Sequence, residues 1–419
     1  MNGLAAAGSR YARALSRLVG GATAMYVLAL GMSGCAVLLT VALPPRERGL
    51  LVATTTSATV AVAVGGMSLE TFLLARGRGW LVEAAGRRSL AVYAATVPLA
   101  AALAWGFAKY SGQASLAGAA IGAACLAAGT IPGAAGLVTG GLQGVYRYRA
   151  AFATLAPLLY LVLIALSVRR AGTWLLVWLG CQATMAVAMW LRYGGPLARM
   201  LGRASSGPEQ VVRMGVTHAG AVAQIFTFRF DQLALSRYQG PDALAVYSLA
   251  INAVEFAQAG AVVQAQRALG DHEEGAASRL PGMLRRAVQV ALGMGVLVLA
   301  GLAAIGAVAQ GYHGALLLGA LLLPRSVAVA VDKMLSARLV NLGRERATAL
   351  IGTGTAVLAV LAYPVVAAGY GTVGLAVVSV LLFVLQGTAS AVVLRGRRHP
   401  RPAAPPAPAT VESGAAGNG

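Results

Sequence analysis

Between Val222 and Gln258 two apolar segments, joined by the turn Gly240-Pro241-Asp242, carry ionisable side chains at a depth that otherwise suits hydrocarbon. Arg229, Asp231 and Glu255 lie well inside these segments, and Arg325, Asp332 and Lys333 repeat the pattern further on. A charge at the centre of a membrane span costs roughly 2.5 to 3.5 kcal/mol on insertion scales, so each needs a partner or a purpose. The arginines suggest one purpose, because a guanidinium offers two parallel donors that match phosphate. At about 100° per helical residue, Arg229 sits only about 20° round from His218 but about 200° from Asp231, so the neighbouring acid points away from it. Asn252, Glu255 and Gln266 make a polar stripe on one predicted helix, and Arg325, Asp332 and Ser336 on another. Stripes of this kind require something other than lipid opposite them.

Two readings of these residues follow. In the first, Arg229 and Arg325 hold an anion while Asn252, Glu255 and His218 help to line its path. In the second, Arg229 pairs with Glu255 and Arg325 with Asp332, locking the later half of the chain together. Asp231 and Asp332 are structural or coupling candidates. Glu70, near the end of its helix and close to Arg76, suits either snorkelling or proton coupling. His218 is either a titrating group or a hydrogen-bonded packing residue. Tyr247, Trp80, Trp105 and Tyr110 fall near predicted helix ends, where interfacial anchoring is the simplest account.

The elements that must position these groups are membrane helices. Mean hydropathy is +0.73, and only 11% of the 419 residues are charged, against about a quarter in a soluble domain. At about 20 residues per span, twelve spans are predicted, at 18–43, 49–75, 89–109, 115–142, 150–168, 172–192, 212–236, 243–268, 284–310, 314–340, 347–368 and 371–394. With the N-terminus inside, the inner segments collect 24 of the 33 basic residues and the outer ones 6. That alternation predicts both termini on the cytoplasmic side. The net charge of +20 is therefore a topology signal and not a nucleic-acid footprint.

An internal repeat of about 197 residues aligns the segment from Pro44 with the segment from Gly240. Residues 1–193 and 211–395 are accordingly predicted to be two pseudo-symmetric six-helix bundles of like orientation around a central cavity. A connector at 194–210 and a disordered tail at 396–419 complete the plan, and residues 1–17 suit a short interfacial helix. The four histidines lack ligand spacing, no phosphate-binding loop exists, and the short outer loops carry too few acids for a membrane glycosyltransferase. Neither an enzyme nor a bound cofactor is expected. Cys35, Cys125 and Cys181 read as small packing residues.

With twelve helices, duplicated halves, the turn Pro44-Pro45-Arg46-Glu47-Arg48-Gly49, and Arg229-Phe230-Asp231 followed by Gly240-Pro241-Asp242 and Tyr247, residues 10–395 resemble the polysaccharide flippases of the multidrug/oligosaccharidyl-lipid/polysaccharide exporter (MOP) superfamily. The resemblance implies a V-shaped pair of bundles in a bacterial cytoplasmic membrane that moves a lipid-linked glycan to the outer leaflet by alternating access. Arg229 and Arg325 would then meet the diphosphate of a polyprenyl carrier. Membrane lipids, and a glycan polymerase or glycosyltransferases, are the implied partners. Related drug antiporters often keep an acid in helix 1, and Leu18 to Leu43 contains none. Peptidoglycan-precursor flippases carry two further helices. A drug or ion antiporter and a non-transporting membrane scaffold are the alternatives.

Overall fold

The computed structural model describes residues 22–66, 87–139, 141–201, 208–270 and 276–396, and among them no strand occurs. Helix α1 (Ala22–Leu39) runs into a 3-10 turn at Thr40–Ala42, followed by α2 (Pro45–Gly65), α3 (Arg87–Ser111), α4 (Leu116–Thr139), α5 (Gly141–Ala165) and α6 (Ala171–Leu201). The helical stretch Pro208–Gly270 breaks at Gly240, with φ 83°, into α7 (208–239) and α8 (241–270). After α9 (Ala276–Val308) and α10 (Gly314–Asn341), the stretch Glu345–Arg395 breaks at Gly371, with φ 60°, into α11 (345–370) and α12 (372–395). Among the described residues there are thus twelve helices, one for each predicted span.

Local chemistry explains the breaks. Gly240 and Gly371 occupy the left-handed region, where a Cβ is disfavoured. Pro241 then opens α8 and Pro45 opens α2 at the equivalent place in the repeat, each lacking an N–H that the first turn would leave unused. The Gln239 amide donates to the Ala367 carbonyl (2.8 Å) and so ties the two glycine turns together. Among the described residues, seven helical stretches are individually long and apolar enough to cross a membrane, one of them the Arg346–Arg395 stretch that bends at Gly371. The charges of Arg229, Asp231 and Glu255 lower the hydropathy of α7 and α8, whose Phe230, Leu233, Leu244, Tyr247 and Ile251 are buried in the core. Helix α6 runs on through part of the expected 194–210 connector, because Leu197-Ala198-Arg199-Met200-Leu201 are good helix formers. Residues 202–207, Glu70, Trp80, residues 1–17 and 397–419 lie outside the described residues.

In the first half α1 packs on α5, α2 on α3, α3 on α4 and α4 on α6. The α2–α3–α4 interface is built from Ala58, Ala61, Ala100, Ala104, Ala108, Ala119, Ala123 and Ala127, which let the backbones approach closely. In the second half α7 and α8 pack on α10 and on the α11–α12 pair around Leu233, Tyr247, Ile251, Leu322 and Tyr363.

The halves meet where α7 and α8 lie against α1, α2 and α3, with α2 making most of the junction. At the end that the arginine bias assigns to the outside, a Cβ on Gly49 would lie 1.9 Å from the Pro241 carbonyl oxygen. No side chain fits there. Arg48, fully buried, donates from Nε to Thr40 Oγ1 (2.9 Å) and from Nη1 to the Ala245 carbonyl and Ser248 Oγ (2.8 Å) across the junction. Tyr312, in the α9–α10 turn, donates to the Leu43 carbonyl (2.8 Å) and lies beneath the Arg48 guanidinium. Deeper in, Thr56 Oγ1 donates to Gln232 Oε1 (3.0 Å), Tyr110 stacks on Phe230, and His218 Nε2 bonds the Val64 carbonyl (2.8 Å).

Candidate functional site

Glu255, on α8, is shared by two arginines. Arg229 on α7 gives it a short ion pair, Nη2 to Oε2 at 2.6 Å, and its other arm donates to Asn252 Oδ1 at 3.0 Å. Arg325 on α10 reaches the second oxygen from Nη2 at 3.4 Å. The arginines differ sharply in access: the Arg229 side chain is 25% exposed, whereas Arg325 is sealed. Arg325 lies against the rings of Phe228 and Phe383, 5.0 and 4.9 Å from their centroids, a cation–π arrangement suited to a weakly hydrated guanidinium. Its Nε and Nη1 have no hydrogen-bond partner among the described residues. An unsatisfied buried donor costs about 1–3 kcal/mol, so this guanidinium is held with donors in reserve.

The expected Arg325–Asp332 pair does not form. About two turns separate them along α10, and the two side chains turn to different neighbours. Asp332 accepts from Ser390 (2.9 Å), from Gln386 (2.9 Å) and, at 3.4 Å, from Ser336, which binds α10 to α12. Tyr247, expected at the interface, is instead fully buried, and its hydroxyl donates to Asp231 Oδ2 at 2.7 Å. The other Asp231 oxygen accepts from the Gln232 N–H at 2.7 Å. The reason is the glycine turn: with a single residue between α7 and α8, the first turns of α8 fold back directly onto α7. His218, a predicted lining residue, bridges α7 to α2 through the Val64 carbonyl and does not face the cavity described next.

A cavity of about 500 Å³ opens between α1, α2, α5 and α6, and Arg229, Gln232 and Asn252 close its side toward the second half. It adjoins the junction of the halves but lies mainly in the first, where Ala29, Ser33, Ala36 and Thr55 leave room. In the second half, Tyr247, Tyr363, Phe383 and Arg325 are fully buried. Of the predicted site residues, Arg229 and Asn252 line the cavity. Glu255 and Arg325 stand behind them.

The cavity also contains side chains that sequence reasoning passed over. Arg149 and Tyr146 on α5, and Trp178 and Gln182 on α6, all line it, with Arg149 against the Tyr146 ring at 5.8 Å. Helix α5 begins at Gly141 and not near 150, so Arg149 is two turns inside a helix and not in a loop. Arg48, just outside the predicted span at 49–75, likewise lies within a helix, because Pro45 starts α2. Arg149 and Arg229 thus share this wall, and no carboxylate is among the described lining residues.

The described residues thus form two joined helix bundles with a largely apolar cavity beside their junction, its wall broken by Arg149, Arg229, Gln182, Gln232 and Asn252. The chain is similar to a solved MOP superfamily transporter from Pyrococcus furiosus, described as having a binding pocket of reverse polarity, at 14% identity over 90% of this chain and 95% of that one, TM-score 0.53. It is also similar to a multidrug resistance MATE family transporter of the same superfamily. The inward-facing form matches at 15% identity over 90% of this chain and 94% of that one, TM-score 0.52. The outward-facing form matches at 15% identity over 90% and 95%, TM-score 0.50. No protein-family model matches the chain, and no curated protein matches it. The chain therefore has the fold of these solved MOP superfamily transporters.

Proposed function

We propose that this protein is an alternating-access flippase, carrying a lipid-linked glycan precursor by its phosphate-bearing end from the inner to the outer leaflet of a bacterial cytoplasmic membrane. One observation carries the reading: Arg149 and Arg229 both line the cavity beside the junction, where no carboxylate is among the described lining residues and Glu255 meets Arg229 from behind. Such a wall attracts a diphosphate and disfavours a cationic drug. Tyr146, Tyr160 and Trp178 supply flat faces, and Gln182, Gln232 and Asn252 supply amides, the mix of apolar surface and sparse polar groups that fixes the orientation of a sugar-bearing ligand.

The closure of the Arg48–Gly49–Tyr312 region fits a state that receives substrate from inside, given the arginine bias. Delivery to the outer leaflet suits consumption by a glycan polymerase or glycosyltransferases. The test uses proteoliposomes holding a fluorescent polyprenyl-diphosphate glycan in both leaflets and an impermeant reductant outside. Flipping brings the inner-leaflet dye out, so the protected signal disappears with the wild-type protein. A protected fraction that stays constant with folded protein would overturn the reading, and reduced accumulation of a cationic dye in cells expressing the protein would favour the antiporter.

A further inference from the structure

The anion subsite of the cavity is already occupied from within. Arg229 is the cavity arginine that faces the second half, and its charge is met at 2.6 Å by Glu255. A phosphate entering the cavity cannot use that guanidinium fully until Glu255 lets go. The sharing is uneven in an informative way. The contact to Arg325, at 3.4 Å, is long for a charge-assisted hydrogen bond, which settles near 2.7–2.9 Å, so a shift of about 0.5–0.7 Å would complete it. The guanidinium fork of Arg325 also has Nε and Nη1 unpartnered among the described residues. A carboxylate that moved inward would gain a second parallel bond and satisfy a buried donor.

We propose that Glu255 is a built-in competitor for the anionic substrate, holding Arg229 when the cavity is empty and withdrawing to Arg325 when a phosphate group engages Arg229. This rests on the reading that the substrate is anionic. Arg325 is then a positioning residue, acting through Glu255 without meeting the substrate. The arrangement keeps the cavity arginine neutralised while no substrate is present, which limits capture of stray anions. It also couples occupancy to one helix. Helix α8 carries Glu255 and Asn252 at the cavity, and at its outer end it carries the Ala245 carbonyl and Ser248 hydroxyl that hold Arg48.

The experiment is calorimetric titration of the purified full-length protein in detergent with inorganic pyrophosphate. Glu255→Gln removes the competitor and tightens pyrophosphate binding by about tenfold, within the range of ordinary coupling energies. Adding Arg229→Ala to Glu255→Gln abolishes that gain. Arg325→Lys keeps a buried cation but loses the fork, so it weakens binding in the wild-type background by several-fold. In the Glu255→Gln background it changes nothing, because there is no carboxylate left to receive. Glu255→Asp, which keeps the charge but shortens the reach, gives an intermediate gain and serves if Glu255→Gln does not fold. Wild-type protein that binds pyrophosphate while folded Glu255→Gln binds it no more tightly overturns the competitor and leaves the flippase reading standing. Absence of pyrophosphate binding in the wild type and in every folded variant overturns both.

Discussion

Gly49→Ala tests the closure of the two halves most directly. The added methyl would lie 1.9 Å from the Pro241 carbonyl oxygen, 2.5 Å from its carbonyl carbon and 2.7 Å from its Cα. A carbon–oxygen contact needs about 3.3 Å, so α2 and α8 must part by roughly 1.4 Å along that line. The neighbouring bond from Arg48 Nη1 to Ser248 Oγ, now 2.8 Å, does not survive a displacement of that size in the same direction. Overpacking of a filled interface costs about 1–3 kcal/mol. Taking about 2 kcal/mol, the ratio of closed to open junctions falls roughly thirtyfold, whatever its starting value. Spin labels at Arg46 and Asp242, both exposed and on opposite sides of the junction, report this in a background with Cys35, Cys125 and Cys181 replaced. The expected outcome is a longer, broader distance distribution with the helical content unchanged. An unaltered distribution together with an unaltered melting temperature would refute the close-packed junction.

Arg229→Ala abolishes flipping with protein level near that of the wild type, since Glu255 keeps Arg325 as a partner. Arg325→Leu removes a sealed guanidinium with two unpartnered donors while Glu255 keeps Arg229, so the melting temperature in detergent changes little; a fall matching about 3–5 kcal/mol would show that Glu255 depends on Arg325. Exchanging the charges of Arg229 and Glu255 does not restore stability, because a guanidinium on α8 would then face Arg325 across the present 3.4 Å contact; recovery of the wild-type melt would show a simple pair. Tyr312→Phe removes the bond to Leu43 and weakens the outer closure by about 1 kcal/mol, read by the same spin labels. Burial pushes the Tyr312 hydroxyl from its ordinary 10 up to about 12, so this turn holds fully below about pH 10 and loses stability only as pH rises from there through about 12. A closure that loosens between pH 7 and 9 would contradict that placement.

The count and order of the helices, the turn at Gly240 and the possibility of an Arg229–Glu255 pair were all legible in the one-dimensional pattern. Hydropathy and glycine–proline punctuation act locally, and a span must satisfy its own backbone wherever it packs. The predicted span at 49–75 starts one turn late, since Pro45 opens α2 and puts Arg48 inside it. What the tertiary structure alone decided is which polar faces meet. Helical angles showed that Asp231 points away from Arg229, but not that Tyr247 would fold back to donate to it. The Asn252–Glu255 stripe needed a partner, and only the crossing of α7, α8 and α10 made Glu255 common to two arginines, one reaching the cavity and one sealed. The cavity itself lies mainly in the first half, between α1, α2, α5 and α6, and is closed from the second by Arg229, Gln232 and Asn252. Rotation and spacing of neighbouring helices set that space, and no periodicity along a single helix encodes it.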